Sequence, residues 1–569
     1  MKNTTKKVAR MLASLLSRHG VGEAVVSPGS RNAPLVVALE RHPDINTRVV
    51  IDERSAGFIA LGMASASQCP VALACTSGTA PLNYGPAVAE AFYRAVPLIV
   101  ITADRPEEWI DQDDSQTIIQ PGIYSNFIKG TFDIPVESDE PDRMWMINRR
   151  MNDALSLATH GRPGPVHINI RLAEPLGEEC DVETADDFGE LSRLVKTAAP
   201  TTPSAPDDVM EELANRLMPP AKVLILAGTM APGFLDSILR ELSRRPNIVV
   251  MQEAQSNLHG YGDFITNIDA TLRQVADIYS FPYVPDIVIT LGGSVTSAIV
   301  KKWLRRLPDV EHWSVGEHEN GVDTFRHLAL RLPYHPWAVM SGLSLKIRKR
   351  NNSETTAFKT AWKTASADAM TRAVKFAATA PWSDFKAMSI VMARFPHQWN
   401  LHLSNGTSVR YAQLFDYSKA NSVSCNRGVS GIDGCTSTAI GSACMSSMPT
   451  MLITGDMSMQ YDIGALATTF IPRQFKIVVL NNGGGGIFRF IRSTRDLPEL
   501  EKYFAAEVRL PLKKLAAAYG FKYISAENAD ELTAAMKKLV SSNTSPVILE
   551  IFTDGTVSAN VFTEFFNKK

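Results

Sequence analysis

Cysteine is scarce in this chain and shows no pairing pattern. The six residues, Cys69, Cys75, Cys180, Cys425, Cys435 and Cys444, are scattered and include no CxxC pair. A disulfide framework and a structural zinc site are therefore not expected, and a reducing, cytoplasmic setting fits best. Charge of one sign is also missing: the net charge is -1, so neither nucleic-acid binding nor a charged membrane surface is indicated. No apolar run approaches the roughly 20 residues that a spanning helix needs, so no membrane insertion is expected. There is no GxxxxGK[ST] phosphate loop and no HExxH metal motif. The 11 histidines include no adjacent pair, and His19, His167 and His259 read as structural.

What is present is ordinary globular composition, 45% hydrophobic and 21% charged, in a chain long enough for several cores. The lysine-rich start resembles a targeting peptide at first glance. However, Val8, Met11, Leu12, Leu15 and Leu16 repeat at helical spacing and Arg10 and Arg18 interrupt any apolar core, which predicts an amphipathic first helix. Up to residue 185, strand-like runs (EAVV, TRVVID, PVALAC, PLIVITAD, PVHINIRL) alternate with helical stretches such as Ala33 to Glu40. This alternation predicts an α/β fold, a doubly wound parallel sheet with ligands beyond the carboxyl ends of its strands. A Pro-, Thr- and Ser-rich stretch at 186–207 reads as a linker. A second α/β unit is expected over 208–345, with strands at KVLILAG, NIVVMQE and DIVITLGG. A polar helical connection follows over 346–384, then a third α/β unit over 385–569. The three units have the look of distant copies of one doubly wound architecture.

The chemistry concentrates at strand ends. MLITGD ends on Asp456 and KIVVLNN on Asn481-Asn482, with 25 residues between Asp456 and Asn482. That interval accommodates a crossover helix, placed at roughly Ile463 to Phe470, between adjacent parallel strands. A carboxylate and an amide oxygen are hard ligands suited to Mg²⁺, with Mn²⁺ as an alternative, and Mg²⁺ completes its shell with phosphate oxygens and water. The glycines at 483–486 let backbone approach phosphates. Taken singly, GD is a turn and NNGGGG a loop; together, after two buried strands, they read as a metal-diphosphate anchor. Glu53 closes another strand and opens a helix of small residues, the setting of either a helix-start acid or a buried proton-sharing carboxyl. Arg31, Arg105, Arg410 and Arg427 all lie in strand-end loops, where guanidinium forks can bind carboxylates.

Several segments are similar to the 2-succinyl-5-enolpyruvyl-6-hydroxy-3-cyclohexene-1-carboxylate (SEPHCHC) synthase family, also called the MenD family. The similarity runs along essentially the whole chain and is most specific in SPGSRNAPL, DERSAGFIALGMA, TSGTAPLNYGPAVAEA, TADRPEEWIDQDDSQTIIQPG, NRGVSGIDG and NNGGGGIF. The resemblance implies three domains, pyrimidine-binding, central and diphosphate-binding. It further implies thiamine diphosphate with Mg²⁺ held between subunits of at least a homodimer, and often a homotetramer. The implied reaction in menaquinone biosynthesis is decarboxylation of 2-oxoglutarate followed by 1,4-addition of the resulting carbanion to isochorismate. Glu53 would activate the cofactor, and Asp456, Asn482 and the Gly484 carbonyl would hold the metal. Ile432 would prop the cofactor in a bent shape. Thr76, Gly78, Asp433, Met457, Ser458, Gly485 and Ile487 would complete the cofactor contacts. Ser30, Arg31, Arg105, Gln116, Arg410 and Arg427 would line the substrate site, with Phe488 and Ile487 as its apolar wall; Arg31 and Gln116 would share in catalysis.

The chain departs from the family pattern in places. Gly406 stands where some relatives have serine, with Thr407 and Ser408 as possible stand-ins. Ala298-Ile299 stands where some have Lys-Arg, with Lys301 and Lys302 one turn later. Met457 replaces a small residue without removing a ligand. Two other readings stay open: another thiamine-diphosphate enzyme of the 2-oxoacid decarboxylase or acetohydroxyacid-synthase type, and a non-catalytic binding protein on an inherited fold.

Overall fold

The near-continuous apolar runs become buried parallel strands: Val71–Cys75 and Leu98–Asp104 are buried at every residue. The structure, a computed structural model, describes residues 1–567 except 185–192, 196, 199–203, 259–263 and 317–321. Most of the expected linker at 186–207, and His259, therefore lie outside the described residues. The chain forms two compact units. One comprises residues 1–200, 426–447 and 461–475; the other comprises 201–425, 448–460 and 476–569.

The first unit holds a six-stranded sheet in the spatial order Asn46–Val49, Glu23–Val26, Val71–Cys75, Leu98–Asp104, Val166–Arg171, Thr131–Ile134. Every neighbouring pair is parallel. Helices cover both faces, as a parallel sheet requires. On one face the helix Lys7–Arg18 buries Val8, Met11, Leu12, Leu15 and Leu16, so the apolar stripe at the start of the chain is core. On the other face lies Glu53–Ser67, whose residues from Ser55 to Ala64 are all buried. This helix crosses Cys435–Cys444 of the same unit at very short range. A Cβ on Gly62 would stand 2.0 Å from the Thr438 carbonyl oxygen, and one on Gly441 2.0 Å from that of Ile59. The small residues of both helices are thus what lets their backbones touch.

The second unit holds two sheets. The five-stranded one runs Ile248–Gln252, Val223–Ala227, Ile287–Leu291, Glu311–Val315, Leu328–Leu332, all parallel. The six-stranded one runs Ser422–Ser424, Asn400–Leu403, Thr450–Gly455, Phe475–Asn481, Val547–Phe552, Lys522–Ala526. Numbered along the chain, the strands of both six-stranded sheets follow the same order, 2-1-3-4-6-5. The polar stretch after residue 345 is mostly one helix of 27 residues, Ser353–Thr379. Its Phe358 and Trp362 join one core and its Ala369, Ala373 and Ala377 another.

The crossover after Asp456 differs from the expected helix over Ile463 to Phe470. A short helix Asp456–Tyr461 comes first, followed by one 3₁₀ turn, Ile463–Ala467. Asp462, fully buried between the two, accepts from the Ser437 amide at 2.7 Å and its hydroxyl at 2.8 Å. Thr468, Thr469 and Pro472 then disfavour any longer helix.

The glycine crossing yields a direct test. Gly441→Val should lower the urea midpoint by an amount equivalent to about 2–3 kcal/mol, because overpacking forces the helices apart. Gly85→Ala, where the added Cβ meets nothing within 4 Å, should leave the midpoint unchanged or slightly raised. Equal midpoints for both variants would mean that the crossing is not close.

Candidate active site

In the first unit, the carboxyl edge of the sheet gathers four of the predicted loops. Arg31 is 6% exposed, and its guanidinium donates to the Leu172 carbonyl at 3.0 Å and to Glu174 at 3.2 Å. Burial and the charge of nearby Arg105 both act against its protonated form, so the pair is disposed to attract an anion. Arg105 Nε donates to the Ser115 carbonyl at 2.9 Å and pairs with Asp114 at 2.9 Å. Gln116 is docked on the TSGT turn: Ser77 Oγ donates to its carbonyl at 2.9 Å and its amide donates to the Ser77 carbonyl at 3.2 Å. A Cβ on Gly29 would overlap Thr76, so the Pro28-Gly29 turn also lies on the TSGT turn. Thr76 Oγ1 is buried without a hydrogen-bond partner, while Ser30, which follows Gly29 in sequence, is exposed.

Beneath these loops lies a buried polar network. Asn169 donates to Asp104 at 2.9 Å and to Asp133 at 2.8 Å, and accepts from Thr102 at 2.7 Å and Gln120 at 2.8 Å. Gln120 also accepts from the Gly78 amide at 3.1 Å, which ties the network to the TSGT turn. His167 meets Thr102 at 2.7 Å. Burial pushes its pKa down to about 4, so it is neutral and structural. His19, bonded to Asn152 at 3.0 Å, is structural too.

Glu53 is the first residue of its helix, capped by Asp52, which accepts from the Arg54 and Ser55 amides at 2.9 and 3.3 Å. Burial raises its pKa, with the Asp52 charge adding to the effect. That is the environment a proton-sharing carboxyl needs. The NRGVSGIDG loop, in the same unit, is clamped by the buried Glu90, which accepts from the Gly428 amide at 2.8 Å and the Val429 amide at 2.7 Å. This clamp orders the loop that carries Arg427, Ile432 and Asp433. Ile432 and Asp433 are half-buried.

In the second unit, Asp456 and Asn482 emerge from neighbouring strands at one edge of the six-stranded sheet. Asp456 is 1% exposed, and its oxygens accept from the Met457 amide at 2.7 Å and the Gly484 amide at 2.8 Å. Burial pushes its pKa up to about 7 against those hydrogen bonds. Asn482 is 7% exposed and its Oδ1 has no hydrogen-bond partner. A buried carboxyl held by backbone amides and a buried amide oxygen that accepts no hydrogen bond suit one divalent ion with hard-oxygen preference. Among the described residues no group of three His, Cys, Asp or Glu could hold a metal, so a cation here would rely on amide and backbone oxygens as well. Ser458 is buried, and the Gly485 amide donates to the Ala505 carbonyl at 2.6 Å.

Nearby in that unit is a cavity of about 860 Å³, lined by Asp269, Arg273, Lys302, Arg410 and Ile487 among others. Arg410 lies not in a loop but in the last turn of the short helix Thr407–Ala412, and it donates to the carbonyl of Gly406, the residue that precedes that helix. Lys302 reaches the cavity although Ala298-Ile299 also line it, so the cation arrives one turn later on the helix Ala298–Leu304. Phe488 does not line this cavity; its ring packs on Phe504 at 6.0 Å. Asp384, Arg273 and Asp269 were not anticipated. In sequence Asp384 has only the setting of a helix-start acid after Ser383, and it is the folded chain that brings it to Asn482.

Parallel sheets with these groups at their carboxyl edges define a thiamine-diphosphate enzyme. Residues 6–123 match the family model "thiamine pyrophosphate enzyme, N-terminal TPP binding domain", and 405–551 match the corresponding C-terminal TPP binding domain. Over nearly its whole length the chain is similar to proteins named 2-succinyl-5-enolpyruvyl-6-hydroxy-3-cyclohexene-1-carboxylate synthase. That of Porphyromonas gingivalis is 38% identical over 99% of this chain and 97% of its own. That of Flavobacterium psychrophilum is 38% identical over 98% of each chain, and that of Bacteroides fragilis 34% over 99% of each. The chain belongs to this synthase family, a family of thiamine-diphosphate-dependent transferases that form carbon–carbon bonds. Among the described residues no helix is long and apolar enough to cross a membrane.

The neutral His167 sets a pH dependence. Its folded pKa of about 4 lies below the ordinary value of 6.5, so between those values the unfolded chain binds the extra proton. Its contribution to stability is complete above about pH 6.5 and is lost as pH falls toward 4, at roughly 1.4 kcal/mol per unit at most. His167→Asn should therefore flatten the fall in urea midpoint between pH 7 and 5. An unchanged slope would remove His167 as its source.

Proposed function

We propose that the chain decarboxylates 2-oxoglutarate and adds the product carbanion 1,4 to isochorismate, forming SEPHCHC in menaquinone biosynthesis. The single observation that carries this reading is the near full-length similarity to synthases of that name, 38% identical over 99% of this chain. The arginine loops support it, since both substrates carry two carboxylates and need several cations. When bound, thiamine diphosphate supplies the electron sink that lets a 2-oxoacid lose CO₂ and act as an acyl nucleophile.

The chain's own residues do the rest. Asp456, the Asn482 Oδ1 and the Gly484 carbonyl hold Mg²⁺, or Mn²⁺, against the diphosphate. Thr76 and Gly78 on one side, and Met457, Ser458, Gly485 and Ile487 on the other, contact the cofactor. Ile432 and Asp433 shape its seat, with the branched Ile432 side chain as a wedge. Glu53 holds a proton on its raised carboxyl and shares it with the cofactor's pyrimidine ring. Ser30, Arg31, Arg105, Gln116, Arg410 and Arg427 bind the substrate carboxylates and hydroxyls, with Ile487, which lines the cavity beside Arg410, as the apolar wall in place of Phe488. Lys302 replaces the cation that Ala298-Ile299 lacks; its place in the cavity with Arg410 supports this. Glu53 from one subunit meets Asp456 from another, so the active form is a homodimer or a homotetramer, in the cytoplasm. The exposed Val49 and Ile51 shortly before Glu53, 58% and 80% accessible, are surfaces such an assembly would cover.

The decisive assay supplies 2-oxoglutarate with isochorismate, and separately pyruvate. The proposal expects 2-oxoglutarate to be consumed and SEPHCHC formed; turnover of pyruvate without 2-oxoglutarate consumption would favour an acetohydroxyacid-synthase-like enzyme instead. Glu53→Gln should bind the cofactor with nearly native affinity while kcat falls about 10²–10⁴-fold. Native turnover in that variant would take Glu53 out of its role. Lys302→Ala should raise the KM of one carboxylate substrate about tenfold with kcat little changed, the signature of lost uniform binding. A native KM for both substrates would leave Lys302 without a part in binding.

A further inference from the structure

Asn481 and Asn482 are adjacent amides at the end of one strand, and they are wired differently. Asn481 is fully used: its Nδ2 donates to Glu550 at 2.7 Å and its Oδ1 accepts from the Gly483 amide at 3.2 Å. Asn482 is used on one side only. Its Nδ2 donates to Asp384 Oδ2 at 2.6 Å, and its buried Oδ1 has no partner.

Asp384 is built into the core, 1% exposed at the first turn of the helix Asp384–Ala393. Its other oxygen accepts from the Thr553 hydroxyl at 2.5 Å, and its amide donates to Ser558 Oγ at 3.0 Å. Three elements thus fix the carboxyl: its own helix, the Thr553 segment and the helix Gly555–Asn567. A side-chain amide has two orientations of nearly equal shape, differing only in which end donates. A carboxylate oxygen only accepts, so the nitrogen must face Asp384 and the oxygen must face away. Gly486 leaves room for this: a Cβ there would lie 2.6 Å from Asn482 Nδ2.

We propose that Asp384 is a positioning residue that locks the Asn482 amide with its oxygen toward the cation site. The proposal rests on the metal-anchor reading given above and adds to it the group that makes Asn482, rather than Asn481, the ligand. Groups that orient metal ligands are commonly worth 10–100-fold in metal affinity.

The test is a double-mutant cycle read by calorimetric titration of thiamine diphosphate into the full-length protein at a series of Mg²⁺ concentrations. Asp384→Asn keeps the shape but can donate as well as accept, so the Asn482 amide is released to either orientation. It should weaken Mg²⁺-dependent binding at least tenfold. Asn482→Asp presents an oxygen in either orientation, so in that background Asp384→Asn should cost nothing or restore affinity, because it also removes carboxylate repulsion. A merely structural role would give the same loss in both backgrounds, and that result overturns the proposal, as does native affinity in Asp384→Asn alone. Should Asp384→Asn not fold, Thr553→Val, which frees the other carboxyl oxygen, should produce a several-fold loss abolished by Asn482→Asp; an equal loss in both backgrounds, or no loss, again overturns it. Binding by the parent chain that ignores Mg²⁺ would sink the metal-anchor reading itself, a failure distinguishable from the other two.

Discussion

The chemistry depends on one constraint: two neighbouring strands of a parallel sheet must end side by side on a carboxylate and an amide. Thr450–Gly455 delivers Asp456 and Phe475–Asn481 delivers Asn482. Both groups are buried, and burial acts on each: against the charge of the Asp456 carboxylate, and in leaving the Asn482 amide oxygen without a donor. The carboxyl is pushed up to a pKa of about 7, and the amide oxygen has no donor. Unsatisfied groups of this kind destabilise a metal-free protein and are repaid when a hard cation arrives. The same logic holds on a smaller scale in the first unit, where Thr76 Oγ1 lacks a partner and burial raises Glu53.

A second constraint is the close crossing of Glu53–Ser67 and Cys435–Cys444. The first helix begins at Glu53, and the second follows directly on the SGIDG loop. Because the glycines let the two backbones touch, the position of Glu53 and that of the Ile432 loop are set by one packed interface within a single unit. The Glu90 clamp on Gly428 and Val429 holds the other end of that loop. Catalytic positions carried on loops are here braced by buried helices, which is how a rigid scaffold keeps loop chemistry in register.

Much of this was legible in the sequence because the central strands are buried on both faces and therefore apolar along most of their length. Val71–Cys75, Val223–Ala227 and Phe475–Asn481 announce themselves in that way. Strands that escaped were those without such a run. Thr131–Ile134, Leu328–Leu332 and Lys522–Ala526 lie at sheet edges and are only partly buried. Glu311–Val315 is interior but carries Glu311, His312 and Ser314, with the His312 Nε2 meeting Thr290 at 2.8 Å. The anchor residues were visible because they follow such buried strands. Asp384 was not, because it lies 98 residues from Asn482 and its helix-cap setting is common to many acids. Lys302 was one of two candidates in sequence; the cavity singles it out.

The central claim is that the Asp456–Asn482 edge binds a diphosphate through a divalent cation. Calorimetric titration of the metal-free protein with thiamine diphosphate tests it most directly, once with Mg²⁺ and once with a chelator. The account predicts saturable binding with Mg²⁺ that is abolished or weakened at least a hundredfold by the chelator. Equal affinity under both conditions would contradict it.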